Sequence, residues 1–186
     1  MSNVSFDKDT YRTPRYVFNW LNKRFFFEID GCASYRNKLC KKWIGIAPAY
    51  GDRDNISNDF LGDALLKTLN DYVDCTYGYK PSIFVNPPYS NPLPFVQRAA
   101  ELMKAGHLVV MLLPADKSTK WYKVIHDNAT EVIDIIGGRI NFIHPVTGEE
   151  VKGNNKGSMV AVFDPFVQGF VTRQVSLDFV RESGQS

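Results

Sequence analysis

The chain has 186 residues, of which 44% are hydrophobic and 23% charged, and its formal net charge is +2. This length and composition are typical of one globular domain with its own core, and they exclude collagen-like and disordered chains. The longest purely apolar run has six residues against the roughly 20 of a membrane helix, and there is no signal-peptide layout, so we expect a cytoplasmic protein with no membrane partner.

Polar turns divide the first part of the chain into a few predicted elements. Pro14 opens a helix whose apolar residues recur at helical spacing. Residues 25–30 are typical of a strand that ends in a carboxylate, and residues 34–42 predict a helix with a basic outer face. Glycine, proline, aspartate and asparagine indicate a loop over 43–58, and an amphipathic helix or its approach is predicted over 59–72.

Apolar runs and helical patterns alternate through the rest of the chain. The predicted strands are 82–85, 108–113, 131–136, 139–143 and 159–163. The predicted helices are 95–104, which Gly106 ends, and 119–128. A turn is predicted over 145–148, and about ten residues at the end of the chain are expected to be frayed.

Strands separated by helical patterns indicate βαβ units, and therefore an α/β fold with a doubly wound, mostly parallel sheet. The closely spaced strands late in the chain predict an antiparallel edge on this sheet. We expect a single domain over 1–186, whose ligand lies beyond the carboxyl ends of the strands. Because Asp30 ends one predicted strand and Asn86 follows another, we expect these two side chains to share one crevice.

The sharpest chemical signal is the tetrad Asn-Pro-Pro-Tyr at 86–89, which follows a short apolar strand. The prolines lack backbone donors and fix φ, and each restricts the residue before it, so the segment is rigid and extended. An amide, free carbonyls and an aromatic plane then lie together and can hold both hydrogens of a flat amino group. Such a site fits alkyl transfer from a cationic sulfonium donor, where catalysis is positioning and electrostatics. A structural turn whose asparagine caps the next helix is the alternative.

Further short motifs accompany the tetrad in a characteristic order. They are Thr-Pro at 13–14, Phe-Glu-Ile-Asp-Gly-Cys-Ala-Ser at 27–34, Asp-Ala-Leu at 63–65, Asn-Pro-Pro-Tyr-Ser at 86–90, Leu-Pro-Ala at 113–115 with Trp121, Gly-Arg-Ile-Asn-Phe at 138–142 and Ser-Met at 158–159. In this ordered set, which spans residues 13–163, the chain resembles the phage-type, Dam-like DNA N6-adenine methyltransferases. Members of that family use S-adenosylmethionine and have the doubly wound, Rossmann-like methyltransferase fold. The resemblance implies a phage or prophage origin and methylation of adenine N6 in double-stranded DNA.

For the target base, the resemblance implies that Asn86 and the Pro87 carbonyl hold the adenine amino group. Pro88 completes the rigid segment, and Tyr89 would stack on the base. Since a base inside a duplex is unreachable, the enzyme would have to extrude it, at a cost of a few kcal/mol.

For the cofactor, the resemblance implies that Asp30 lies by the methionine part and pairs with its ammonium group, and that Asp63 hydrogen-bonds its adenine. Four further residues would shape the pocket: Thr13, Pro14, Cys32 and Ala33. The alternatives are a surface carboxylate or helix cap for Asp30, and simple capping of the first helix by Thr13 and Pro14. The chain has no Gly-x-Gly loop after the first strand and no clear acidic residue ending a second one, so the ribose contacts stay unassigned.

Basic residues after the tetrad are candidates for contacts with DNA phosphates. Lys117, Lys120 and Lys123 lie near presumed strand ends, with ordinary solvated charge as the alternative. Arg139 lies within a family motif, which favours a site or structural role. A small DNA-recognition insertion is expected within 115–158, where no base code is readable.

Cysteines and histidines give no sign of a metal site. Cys32, Cys40 and Cys75 lack paired CxxC spacing, so we expect free buried thiols rather than ligands or a disulfide framework. The three histidines are scattered. We therefore expect S-adenosylmethionine as cofactor and no metal.

Two alternatives to this function stay open at the level of sequence. The first keeps the chemistry and changes the acceptor to cytosine N4, an RNA adenine or a protein glutamine amide. The second is a nucleic-acid-binding module that kept the fold and lost turnover. Nothing in the sequence indicates the recognised DNA site, the oligomeric state, or whether the methylation protects DNA from restriction or regulates it.

Overall fold

An eight-stranded sheet organises the protein, and the computed structural model describes it over residues 8–75 and 79–185. The strands are β1 Ile29–Asp30, β2 Lys42–Ile44, β3 Asn55–Ser57, β4 Ile83–Val85, β5 Val109–Pro114, β6 Glu131–Ile136, β7 Ser158–Phe163 and β8 Val171–Ser176. Their order in the sheet is β3-β2-β1-β4-β5-β7-β6-β8. All pairings are parallel except those of β7, which runs antiparallel to both β5 and β6 near one edge of the sheet. The predicted α/β fold class is confirmed.

Within the described residues, five α-helices connect and cover these strands: α1 Arg15–Phe25, α2 Leu65–Cys75, α3 Leu93–Lys104, α4 Lys120–Asn128 and α5 Leu177–Gln185. Local residues explain their ends. Pro14 precedes α1, and the Thr119 side chain caps α4 by accepting a hydrogen bond from the N–H of Tyr122 at 3.3 Å. After α3, Gly106 adopts a φ of 95°, which a residue with a side chain rarely allows.

Alternate residues of the central strands enter two separate hydrophobic cores. Val109 and Met111 face the core that contains α2, α3 and α4, whereas Val110 and Leu112 face the core that contains α1 and α5. This follows from the period of two along a strand, and it explains why β5 is apolar without interruption. The sheet is therefore covered by helices on both faces, as in a doubly wound fold.

The strand predicted over 25–30 is much shorter than expected. Phe25 ends α1, and Phe26 adopts a left-handed φ of 51° that turns the chain toward the sheet. The Asn22 carboxamide oxygen holds this turn by accepting a hydrogen bond from the N–H of Phe27 at 2.7 Å. Only Ile29 and Asp30 pair as β1, so the apolar phenylalanines belong to a helix end rather than a strand.

The helix predicted over 34–42 is wrong, and the loop predicted over 43–58 is confirmed only between two short strands, over 45–54. Residues 34–41 form turns, because the Asn37 side chain bonds Ser34 and the Asp30 carboxylate accepts the N–H of Leu39, replacing helical bonds. The following segment contains strands β2 and β3, which are short enough to escape a periodicity argument. The basic face instead forms ion pairs: Lys38 with Asp52 at 2.8 Å and Lys42 with Asp54 at 3.0 Å.

Two expectations about the second half of the chain also fail. Residues 139–143 do not form a strand, since only Ile143 makes isolated bridges, to Arg12 and Glu150. The end of the chain is not frayed: β8 adds to the sheet, and α5 docks against α1, where the Asn19 amide donates to the Gly184 carbonyl at 3.0 Å. Both outcomes depend on contacts between distant residues, which local patterns do not encode.

The described cysteine thiols are free. Cys40 is buried and Cys32 half-buried, while the Cys75 side chain lies outside the described residues. Over 8–75 and 79–185, no helix is both long and apolar enough to cross a membrane. The same residues contain no group of three or more His, Cys, Asp or Glu that could hold a metal ion.

Candidate active site

Two adjoining cavities open beyond the carboxyl ends of strands β1, β4 and β5. The β1 cavity encloses about 300 Å³ and includes Asp30, Cys32 and Ala33 in its wall. The β4 cavity encloses about 370 Å³, and its wall includes residues that follow β4 together with the segment 151–156. Both volumes fall in the range of small-molecule sites. Three residues line both cavities: Asp9, Tyr11 and Asn86.

Asn86 occupies the junction of the two cavities. Strand β4 ends one residue earlier, so the parallel sheet presents this side chain at its carboxyl edge. The Asn86 Oδ1 atom is buried and has no hydrogen-bond partner among the described residues. An unsatisfied buried acceptor costs free energy unless a ligand supplies the donor, so this atom marks a binding position. Pro87 lines the β4 cavity beside it, whereas Pro88 lines neither cavity.

Tyr89 forms an aromatic wall of the β4 cavity with Phe142. Their rings are nearly perpendicular, at 88°, with centroids 5.7 Å apart. The Tyr89 hydroxyl is buried without a partner among the described residues, and burial raises the pKa of this phenol above its usual range. The group is therefore neutral, and the ring rather than the hydroxyl is what Tyr89 offers to a ligand. An edge-and-face pair of this kind suits a flat heterocycle.

Asp30 is a buried carboxylate in the wall of the β1 cavity, with 4% of its surface exposed. It accepts hydrogen bonds from the N–H of Leu39 at 2.9 Å and the N–H of Cys32 at 3.4 Å. Burial raises its pKa to about 6, because these two bonds only partly offset the loss of hydration. No cation pairs with it in the described part of the chain, so the site favours a cationic ligand.

The other predicted pocket residues divide into two groups. Thr13, Cys32 and Ala33 line the β1 cavity, and burial raises the pKa of the Cys32 thiol, which keeps it protonated. Pro14 is the N-cap residue of α1 and lines neither cavity. Asp63 is exposed before α2 and lines neither cavity.

The lysines predicted to contact DNA lie on or near α4, outside both cavities. Lys117 pairs with Asp134 at 2.7 Å, Lys123 pairs with Asp127, and Lys120 is exposed at the first residue of the helix. Hydrogen bonding to Asp134 raises the pKa of Lys117. Two of these three charges are thus already matched by carboxylates.

Arg139 contacts the backbone of the 151–156 segment, which lines the β4 cavity. Its Nη1 donates to the Asn154 carbonyl at 2.7 Å, which ties the segment after β6 to the segment before β7. Lys152 and Lys156 in the second segment line the β4 cavity. Lys156 lies 3.5 Å from Asp116.

Several wall residues were missed by sequence reasoning: Asp9, Tyr11, Arg12, Asn37, Lys152 and Lys156. The first three precede the motif at 13–14, and the lysines belong to a stretch without regular structure. No periodicity or spacing identifies such residues. The one usable signal was the position of 152 and 156 inside the expected recognition stretch 115–158.

The walls of the two cavities favour different ligands. Among the described residues, the β1 cavity has two carboxylates and one guanidinium in its wall, which suit a charged polar group, whereas the β4 cavity combines an amide oxygen that has no partner among them with aromatic rings. A flat heterocycle with an amino group fits the second wall. Asn86 then lies where a group held in one cavity meets a group held in the other, as transfer between them requires.

Comparisons with known proteins give a consistent result. A family model described as DNA N-6-adenine-methyltransferase (Dam) matches residues 2–186. The chain is 35% identical over 183 residues to a DNA N-6-adenine-methyltransferase of Haemophilus phage HP1 (strain HP1c1), covering 96% of this chain and 92% of the relative. It is 33% identical over 179 residues to a DNA N-6-adenine-methyltransferase of Escherichia phage T1, covering 88% of this chain and 66% of the relative. The family match includes every residue that lines the two cavities.

Proposed function

The chain belongs to the Dam family of DNA N-6-adenine-methyltransferases and is an adenine-specific DNA methyltransferase, and from this premise we propose how its two cavities divide the reaction. The β4 cavity receives the target adenine, and the β1 cavity receives the reactive end of S-adenosylmethionine. The observation that carries this proposal is the buried Oδ1 of Asn86, which has no hydrogen-bond partner within 8–75 and 79–185 and belongs to a residue common to both cavities.

On the base side, Asn86 Oδ1 and the Pro87 carbonyl accept the two hydrogens of the adenine amino group. Two such bonds draw electron density onto the nitrogen and make it nucleophilic before it loses a proton. The extra proton leaves after transfer, so the site needs no strong base. Tyr89 stacks on the ring and Phe142 meets its edge, which stabilises a base extruded from the duplex.

On the donor side, the wall of the β1 cavity fits the amino-acid end of S-adenosylmethionine. When bound, the donor supplies a methyl group on a positively charged sulfur. The nitrogen nucleophile attacks the methyl carbon and displaces the sulfur, which leaves as a neutral thioether. Asp30 binds the ammonium group, since it is a buried carboxylate without a cation partner in the described residues. Thr13, Cys32 and Ala33 shape the cavity, and Pro14 directly follows Thr13 at the N-cap of α1. Asp63 has no role in this proposal because it lies outside both cavities.

On the DNA side, we assign recognition to the stretch 137–157 of a single methyltransferase domain. This stretch inserts between β6 and β7 and contains no helix or extended strand. Lys152 and Lys156 lie at the wall of the β4 cavity, where phosphates flanking an extruded base would pass. Arg139 positions this segment through Asn154, and Lys120 adds an exposed charge at the start of α4.

Nucleoside mass spectrometry tests the reaction directly. Purified protein is incubated with methylation-free double-stranded DNA and S-adenosylmethionine carrying a labelled methyl group, and the DNA is then digested. We expect labelled N6-methyladenine. Labelled N4-methylcytosine would overturn the assigned base, and no label on DNA would overturn the proposed division of the two cavities.

A further inference from the structure

Among the described residues that line the β1 cavity, Arg12 contributes the one positive charge. Its backbone pairs with Ile143 in both directions at 2.9 Å, and its Nη2 donates to the Pro145 carbonyl at 2.8 Å. The backbone of Arg12 is therefore fixed by Ile143, and its guanidinium is anchored by one hydrogen bond to Pro145. Its Nε atom is buried and has no hydrogen-bond partner among the described residues.

Arg12 and Asp30 do not neutralise each other's charge. The two groups form no ion pair, and neither pairs with another charged side chain in the described part of the chain. A buried acid and a fixed guanidinium around one cavity of about 300 Å³ are complementary to a zwitterion. The amino-acid end of the donor is such a zwitterion, with an ammonium and a carboxylate on the same carbon.

We propose that Arg12 binds the α-carboxylate of the methyl donor, opposite the ammonium-binding Asp30. This inference rests on the proposed function, because it takes S-adenosylmethionine as the occupant of the β1 cavity. A guanidinium suits this role better than an ammonium would, since its planar fork can keep the Pro145 carbonyl and still present donors to a carboxylate. The donor would thus be recognised by both charges of its amino-acid end.

A purely structural role is the competing explanation, since Arg12 also ties the segment before α1 to the turn at Pro145. Ligand chemistry separates the two. S-adenosylhomocysteine carries both charges, decarboxylated S-adenosylhomocysteine keeps only the amine, and methylthioadenosine has neither. A carboxylate-binding residue affects only the first compound, whereas a structural residue affects all three.

The test is isothermal titration calorimetry of these three compounds with wild-type protein, Arg12→Gln and Arg12→Lys. Arg15→Gln is the matched control, because it removes the same charge three residues away at an exposed position outside the cavity. We expect Arg12→Gln to lower the affinity for S-adenosylhomocysteine by about 10- to 100-fold, the range for loss of a charge-assisted hydrogen bond. Its affinity for the other two compounds should match wild type, and Arg12→Lys should recover part of the loss.

Two results would overturn the assignment of Arg12 alone. One is wild-type affinity of Arg12→Gln for S-adenosylhomocysteine. The other is a loss of affinity for methylthioadenosine equal to the loss for S-adenosylhomocysteine, which would indicate a damaged cavity. Failure of wild-type protein to bind S-adenosylhomocysteine would instead overturn the donor proposal, and the Arg12 assignment with it.

Discussion

The carboxylate of Asp9 accepts two hydrogen bonds from Ser90. Its Oδ1 accepts the backbone N–H at 3.1 Å, and its Oδ2 accepts the hydroxyl. Ser90 directly follows the Asn-Pro-Pro-Tyr tetrad, while Asp9 lies 81 positions earlier and lines both cavities. The segment before α1 therefore holds the tetrad in place from outside the sheet.

The contact with Asp9 predicts that Ser90→Ala slows methyl transfer without unfolding the protein. The variant keeps the backbone bond and loses the hydroxyl bond, which at an exposed position contributes about 0.5–1.5 kcal/mol, or roughly 2- to 10-fold in rate. Single-turnover methylation measures this effect. Ser118→Ala is the control, because Ser118 also bonds a nearby aspartate but lies outside the cavities. Equal rates for wild type and Ser90→Ala would contradict the positioning role.

Removal of the Asn86 carboxamide should abolish most turnover and spare donor binding. We expect Asn86→Ala to lower the single-turnover rate by about 100- to 1000-fold, as when other enzymes lose one preorganised polar group at the reacting atom. S-adenosylhomocysteine affinity, measured by calorimetry, should stay close to wild type. Asn91→Ala, at an exposed position five residues on, should leave the rate unchanged. A fast Asn86→Ala enzyme would refute the site.

Tyr89 should tolerate loss of its hydroxyl but not of its ring. The hydroxyl is buried without a partner in the described residues, so Tyr89→Phe removes an unsatisfied group and should keep both Tm and methylation rate. Tyr89→Ala removes the stacking surface, worth about 1–3 kcal/mol, and should raise KM for DNA by about 5- to 150-fold. Steady-state kinetics with varied DNA measures both. A slow Tyr89→Phe would indicate that the hydroxyl takes part in the reaction.

The raised pKa of Asp30 makes donor binding depend on pH. Because this pKa is about 6 in the free protein, Asp30 becomes protonated below that pH and no longer attracts an ammonium group. S-adenosylhomocysteine affinity should fall toward tenfold per pH unit below about 6, as calorimetry between pH 5 and 8 would show. Asp30→Asn should bind weakly with little of this dependence. An equal pH profile for wild type and Asp30→Asn would assign the titration to another group.

The same pKa has the opposite consequence for the stability of the ligand-free protein. A folded-state pKa above the ordinary aspartate value of 3.8 means that the folded chain binds the proton more tightly than the unfolded chain. The contribution of Asp30 to the free energy of unfolding is therefore greatest below about pH 4. It is lost as the pH rises toward about 6.

Helix α5 should depend on the absence of a side chain at Gly184. A Cβ there would lie 1.9 Å from the Tyr16 carbonyl oxygen in α1, so Gly184→Ala should separate the two helices. We expect a loss of about 1–3 kcal/mol, seen as a Tm several degrees lower in thermal unfolding. Gly62→Ala is the control, since its Cβ would meet its nearest neighbour at 3.4 Å. An unchanged Tm for Gly184→Ala would mean that α5 does not dock against α1.

Sequence reasoning worked where residues act locally. Strand β4, the apolar run of β5 and helix α4 depend on neighbours in the chain, and these predicted elements were confirmed. It failed for 34–42, where bonds from Asp30 and Asn37 replace a helix. The spacing of apolar residues along the sequence gives no information about such side-chain hydrogen bonds.

By itself, the sequence determined the α/β fold class, because burial of strands and helical faces is encoded at fixed periods. It also determined that the backbone of residues 86–89 is restricted, because two prolines fix their own φ. Only the tertiary structure decided that Asp9, Tyr11 and Arg12 join the site, that Lys152 and Lys156 line the β4 cavity and that Asp63 stays outside. These placements depend on how distant segments cross the edge of the sheet, as in the Asp9–Ser90 contact, and no local pattern specifies such crossings.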